Sequence, residues 1–164
     1  MAQILTDSVL TTSRRIYDLL VTNAAALGLD AGGSVNVWYG DQDSVPRTPS
    51  ICVEPGTKRR VLAGVPDMTL IDIDVHLLLY HSPISEQQDA RQDCIAFAEG
   101  VERFLHINHL NLANSNGDQI IIHGFVTEMD PGYVYKSGTL HHAVQMVWTG
   151  TTKTSLRNPQ SPPP

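Results

Sequence analysis

With 164 residues, 41% of them hydrophobic, the chain is long enough to bury the core of one domain, and its two cysteines are not needed as staples. Seventeen acidic against 11 basic side chains leave a formal charge of -6, which argues against an outer surface that grips nucleic acid, because phosphate binding is dominated by clustered Lys and Arg. No apolar stretch approaches the roughly 18 residues of a membrane span, and the first residues lack the basic region and apolar run of a signal peptide, so a soluble protein made without export is expected.

The first helix is expected to begin at Thr6 or Asp7, either of which can accept hydrogen bonds from the free amides of a first turn, and to run to about Leu27. Val9, Ile16, Leu20, Ala24 and Leu27 fall on one stripe, with Arg14, Arg15 and Asp18 elsewhere, and Gly28 supplies the stop. A flexible connection over 30–33 leads to a strand over 34–39, where Val35, Val37 and Tyr39 alternate with Asn36 and Trp38. Residues 41–49 are rich in Asp, Ser and Pro and read as a loop. A short strand over 50–54 follows, closed by Pro55-Gly56. The stretch 58–66, basic and then small and turn-prone, reads as a long hairpin arm or a mobile loop with its tip free to touch a neighbour.

The clearest strand spans 67–81. Ile71, Ile73, Val75, Leu77 and Leu79 point one way, and Asp72, Asp74, His76, Leu78 and Tyr80 the other. The first set is core. The second begins acidic and ends apolar, so one end should meet water and the other be covered by another element or subunit. Ser82-Pro83 breaks the strand, and Ser85-x-x-Gln88 has capping-box spacing for a second helix. That helix carries Ala90, Cys94, Phe97, Val101 and Phe104 on its apolar stripe, beside Ile95, Ala98 and Leu105, and fades over 106–109. A turn over 114–118 precedes strands over 120–128 and 139–151, separated by the turn-rich Asp130-Pro131-Gly132, an extended Tyr133-Val134-Tyr135 and a turn at Ser137-Gly138. The domain is drawn as 1–152, followed by a Pro-rich tail over 153–164 with too little apolar surface to order itself.

Candidate chemistry is sparse. Cys52 and Cys94 sit where small hydrophobes belong and read as reduced core thiols, which fits folding in a reducing cytoplasm. Lys58-Arg59-Arg60 is the dense basic cluster, read as an exposed loop between strands that is either solvated or a docking patch for an acidic partner surface. Asp72-x-Asp74-x-His76 has the residue types of a divalent-cation site, but alternate side chains on a strand stand roughly 6.5 to 7 Å apart, and no second cluster is spaced to complete a shell. A solvent-facing or interface-facing stripe is the preferred reading. His141-His142 and His106-x-x-His109 are not sites by themselves, since adjacent strand residues face opposite ways and the other pair lies at a fraying helix end. Phosphate-loop, His-Glu-x-x-His and Gly-x-Ser-x-Gly motifs do not occur. No catalytic residue, cofactor or metal is therefore expected.

Between Leu5 and about Thr151 the chain resembles the tail terminator, or tail completion, proteins of tailed bacteriophages. The likeness rests on element order, on the long strand over 68–80 entering the helix that starts at Ser85, and on the segment Glu128-Met129-Asp130-Pro131-Gly132-Tyr133-Val134-Tyr135 before a closing strand. The resemblance implies an α+β subunit in α-β-β-β-α-β-β order, with two helices on one face of a mostly antiparallel sheet. It further implies a structural virion protein, a hexameric ring assembled in the host cytoplasm that caps the head-proximal end of the tail tube, ends its polymerisation and meets the neck. Expected partners are the tube protein, a neck or connector protein and, in a contractile phage, the sheath, with DNA passing through the bore without specific binding. Asp72, Asp74 and His76 would then line the lumen or a subunit contact, and the arm over 58–66 would reach the tube or sheath. Trp38, Tyr39 and Trp148 are candidate interface anchors, with a core role equally open to either Trp. Two rival readings are a head-tail connector or stopper of the neck, and a small metal-dependent enzyme using Asp72, Asp74 and His76.

Overall fold

A computed structural model describes residues 9–29, 36–40, 42–45, 47–62, 68–83, 90–108, 121 and 123–155. The expected cap at Thr6 or Asp7, the start of the first strand, the tip of the arm over 63–66, the Ser85 capping box, the 114–118 turn and the tail beyond Ser155 lie outside these residues. The elements are α1 (Val9–Thr22), a 3-10 turn (Ala24–Leu27), β1 (Val37–Tyr39), β2 (Ser50–Leu62), β3 (Met68–Pro83), α2 (Ala90–Asn108), β4 (His123–Lys136) and β5 (Thr139–Ser155). They form one sheet in the order β1-β2-β3-β5-β4, antiparallel except for the β1–β2 pair. This is the α+β class, in the α-β-β-β-α-β-β order that the sequence implies.

Both helices pack on one face. α1 lies against β1, β2 and β3, and α2 against β3, β4 and β5. Ile16 and Leu20 from α1, and Cys94, Ala98, Val101 and Leu105 from α2, meet Ile71, Ile73, Val75, Leu77 and Leu79 of β3 in one buried cluster. These are the stripes that the periodicity predicts. The first helix ends sooner than expected, because Thr22 Oγ1 and Asn23 Nδ2 donate to the carbonyls of Asp18 and Leu19, each at 2.8 Å, and the chain tightens into the 3-10 turn. Gly28 closes it at φ 77°, with the amide of Leu29 donating to Ala24 O at 2.9 Å.

Three further boundaries differ from the sequence reading at prolines, and a fourth at the end of β5. β2 does not stop at Pro55-Gly56 but continues, after an irregularity between Pro55 and Lys58, through Leu62. Lys58, Arg59 and Arg60 therefore belong to a strand of the hairpin arm and not to a loop. Pro55 is tolerated because β1 pairs with β2 only at Ile51–Val53, so from residue 54 onward one side of β2 carries no ladder among the described residues. β4 likewise runs straight through Asp130-Pro131-Gly132, where Pro131 lies opposite Val144, because among the described residues β4 is an edge strand and can spare one N–H. β3 carries on past a bulge after Tyr80 to Pro83, pairing only with β5 there. At the far end β5 reaches Ser155 and so takes in the start of the expected tail, since Met68–Leu70 of β3 provide a ladder partner for residues 153–155. The turn at Ser137-Gly138 is as expected. Both residues have positive φ, 47° and 79°, the two-residue geometry that follows the twist of a hairpin.

The indole of Trp148 is fully buried and lies across Gly124 and Gly150, which face each other on β4 and β5. A Cβ on either glycine would overlap the ring. Gly124→Ala and Gly150→Ala should each cost about 1–3 kcal/mol, read as a lower urea midpoint at unchanged slope. Cys94 offers a second check, since burial pushes its thiol up to about 11. It should therefore stay protonated and react with a thiol reagent at neutral pH only after denaturation.

Candidate functional site

The face of the sheet turned away from the helices carries Asp72, Asp74 and His76 from β3, as the alternation requires, and across from them Thr151, Thr149 and Val147 of β5. Asp74 is 6% exposed yet fully engaged. Thr57 Oγ1 donates to Oδ2 at 2.6 Å, Thr149 Oγ1 to Oδ1 at 2.8 Å, and the Arg59 guanidinium reaches both oxygens at 3.0 and 3.2 Å. Burial alone would push this carboxyl up. The hydrogen bonds from Thr57 and Thr149 and the charge of Arg59 outweigh it and hold the group below the ordinary carboxylate range. Asp72 accepts from Thr151 Oγ1 at 2.7 Å, and Thr127 of β4 reaches Thr149 at 3.1 Å. A cleft of about 500 Å³ runs over this band, bounded further by Leu70, His123, Phe125 and Glu128.

Gly56 is the position that lets β2 come this close. A Cβ there would run into the His76 ring and the backbone carbonyl of Asp74, so a glycine at the irregularity is what allows Thr57 and Arg59 to reach the carboxylate. Arg59 itself stays 57% exposed, so its pairing with Asp74 is screened on one side by solvent.

The other end of the same face is apolar, as expected, and what covers it is the chain itself. Trp38 stacks on Tyr80 at 6.1 Å, and with Cys52 and Ala143 they form a second buried cluster against which Val45, Leu78 and Val134 pack. The hydroxyl of Ser137 donates to Asp43 O, fastening the 42–45 segment to the β4–β5 hairpin. His141, on this face, touches Tyr80 edge-on, while His142 pairs with Tyr133 on the opposite face. Burial lowers the pKa of His141, and it lowers that of His81 against the opposing pull of Asp93.

The structure thus joins two expected features that the sequence kept apart. Arg59 of the basic cluster is the counter-ion of Asp74, while Lys58 and Arg60, its strand neighbours, point to the other face. Asp72, Asp74 and His76 share a face, and among the described residues no group of three or more His, Cys, Asp or Glu side chains is placed to hold a metal ion. Trp38 and Trp148 are both core, and Tyr39 is half-buried between Tyr17 and the guanidinium of Arg14. The exposed aromatics are instead Phe125, Tyr133 and Tyr135, all on β4. Their signal was present in the alternation Tyr133-Val134-Tyr135, which sets both tyrosines on one side. No protein-family model matches this chain, and no curated protein matches it either. Among the described residues no helix is long and apolar enough to cross a membrane.

The Asp74 network gives a signed prediction. A carboxylate whose pKa is lower folded than unfolded contributes stability above its unfolded value and loses that contribution as pH falls through the folded one. Asp74→Asn should lower the urea midpoint at neutral pH, and the gap from the parent should shrink as pH falls toward about 2. A gap that stays constant across that range would show that the charge of Asp74 is not what matters.

Proposed function

We propose that this protein is a structural component of a bacteriophage virion, a tail terminator whose subunits form a ring, hexameric by resemblance, on the head-proximal end of the tail tube. It acts by assembly and not as an enzyme. It ends tube polymerisation and offers the surface on which a neck protein docks, and the sheath where the tail is contractile.

The observation that carries this reading is the make-up of the helix-free face. Two helices cover one side of the sheet, and the other side is a strip of threonine hydroxyls and matched charges that runs from the Asp74–Arg59 pair to the Trp38 cluster. Such a face suits the wall of a bore. DNA slides past it because Arg59, the cation on the strip's central band, is already held by Asp74, so it provides no isolated charge to anchor a phosphate. The repulsion that the sequence suggested for Asp72 and Asp74 together then falls mainly to Asp72, with Glu128 beside it in the cleft.

The test is tube growth in the presence of the purified protein. Rings seated on one end of each tube, with elongation halted there, are the expected result. Tubes that lengthen at an unchanged rate with bare ends would overturn the reading, and binding to an isolated portal or connector in preference to tubes would transfer the protein to the neck.

A further inference from the structure

The β4–β5 hairpin is covered unequally on its two faces. On the helix-free side, Val134 packs against the Trp38 cluster and the Ser137 hydroxyl is held by Asp43 O. On the other side, Tyr133, Tyr135 and Leu140 are 52%, 69% and 41% exposed, with Tyr135 opposite Leu140 and Tyr133 opposite His142. The β3 ladder stops at the Pro83–His141 pair, so the last turn of the hairpin stands as two strands, which gain little stability from their own pairing. The three side chains form one contiguous ledge of roughly 300 Å². That is well short of the roughly 800 Å² per partner that a stable globular interface needs, but it is ample for a short peptide. The same chain carries a segment of matching chemistry. Residues 156–164 hold four prolines, Pro159 and Pro162-Pro163-Pro164.

We propose that this ledge is the docking site for the proline-rich segment 156–164 of a second copy of the chain. Exposed aromatic rings set side by side are the surface that proline-rich peptides recognise, because a pyrrolidine ring seats between them. Tyr133 and Tyr135 stand on one side of a strand, roughly 6.5 to 7 Å apart, and leave such a slot. Their hydroxyls can donate to proline carbonyls, which find no partner within an extended proline helix. Four prolines also narrow the conformations of the segment before it binds, so ordering it on the ledge costs less than ordering a chain of ordinary residues. Reach decides which copy supplies the segment. β5 starts at the ledge and runs away from it, so at roughly 3.3 Å per residue Ser155 lies about 50 Å along the strand from Leu140. Residues 156–164 span at most about 32 Å even when fully extended. The segment therefore falls short of its own ledge and is free to meet that of a neighbour. The contact goes beyond the terminator reading and does not rest on it, since its binding is scored without tubes.

The test uses full-length chains and a fluorescein-labelled peptide of residues 156–164. In the tail variant Pro159→Ser/Pro162→Ser/Pro163→Ser/Pro164→Ser the ledge is intact and its competing tails are disabled, so fluorescence anisotropy should show saturable binding of the peptide. Adding Tyr133→Ala/Tyr135→Ala to that variant should weaken binding by about tenfold or more, with circular dichroism unchanged. Tyr135→Ala alone, at the most exposed ring, should give an intermediate loss and guards against a folding defect from the double change. A peptide with its four prolines replaced by serine should not bind. Direction is read on the parent: a photo-crosslinking residue at Ser161 should join two subunits, with the bridge mapping to 133–140. Absence of saturable binding, equal binding with and without the two tyrosines, or a crosslinked product that keeps the 18.0 kDa mass of one subunit overturns the proposal. A tyrosine variant that still binds the peptide but no longer caps tubes would give the ledge to the tube protein and overturn it as well.

Discussion

β3 has to satisfy two different surroundings at once, and the rest of the fold is arranged around that demand. Its odd-numbered residues from Ile71 to Leu79 are wholly buried under the two helices. Its even-numbered residues meet the open face, where Asp74 is nearly as inaccessible as the core. A carboxylate can be held there only if several donors converge on it, because an unpaired buried charge costs several kcal/mol. Thr57 and Arg59 come from β2 and Thr149 from β5, so the same pair of neighbours that hydrogen-bonds to the β3 backbone also satisfies its buried side chain. Register on both sides of β3 is thereby tied to one residue as well as to the hydrophobic alternation.

Prolines mark where the sheet ends. Pro55 and Pro131 lie inside strands and Pro83 ends one, and among the described residues each lies where its strand has a neighbour on one side only. Their placement is consistent with a sheet whose margins are long but guarded, since a missing N–H weakens an edge as a template for stray strands.

On the proposed reading, the surface that bears on function is an extended face and its two borders. On the face, Asp74 is paired with Arg59 while Asp72 and Glu128 line the same cleft, and the exposed aromatic rings lie on β4. Protein partners are recognised by such features through area, strand pairing and charge pattern.

Alternation and helical periodicity in the sequence determined a good deal. The stripes of both helices, the two faces of β3, the stop at Gly28 and the turn at Ser137-Gly138 depend on local rules of spacing and backbone angle, which a residue's neighbours in sequence decide. The strand limits at Pro55, Pro83 and Pro131 did not follow from sequence, because a proline ends a strand or passes unnoticed according to whether another strand lies on its N–H side. The joining of Arg59 to Asp74 was also beyond reach. They are 15 residues apart, and only the irregularity at Gly56, which re-aims the strand, brings the guanidinium over the carboxylate. The burial of Trp38 and Trp148 and the exposure of Tyr133 and Tyr135 were decided in the same way, since aromatic rings enter a core or a surface according to which elements happen to pack above them.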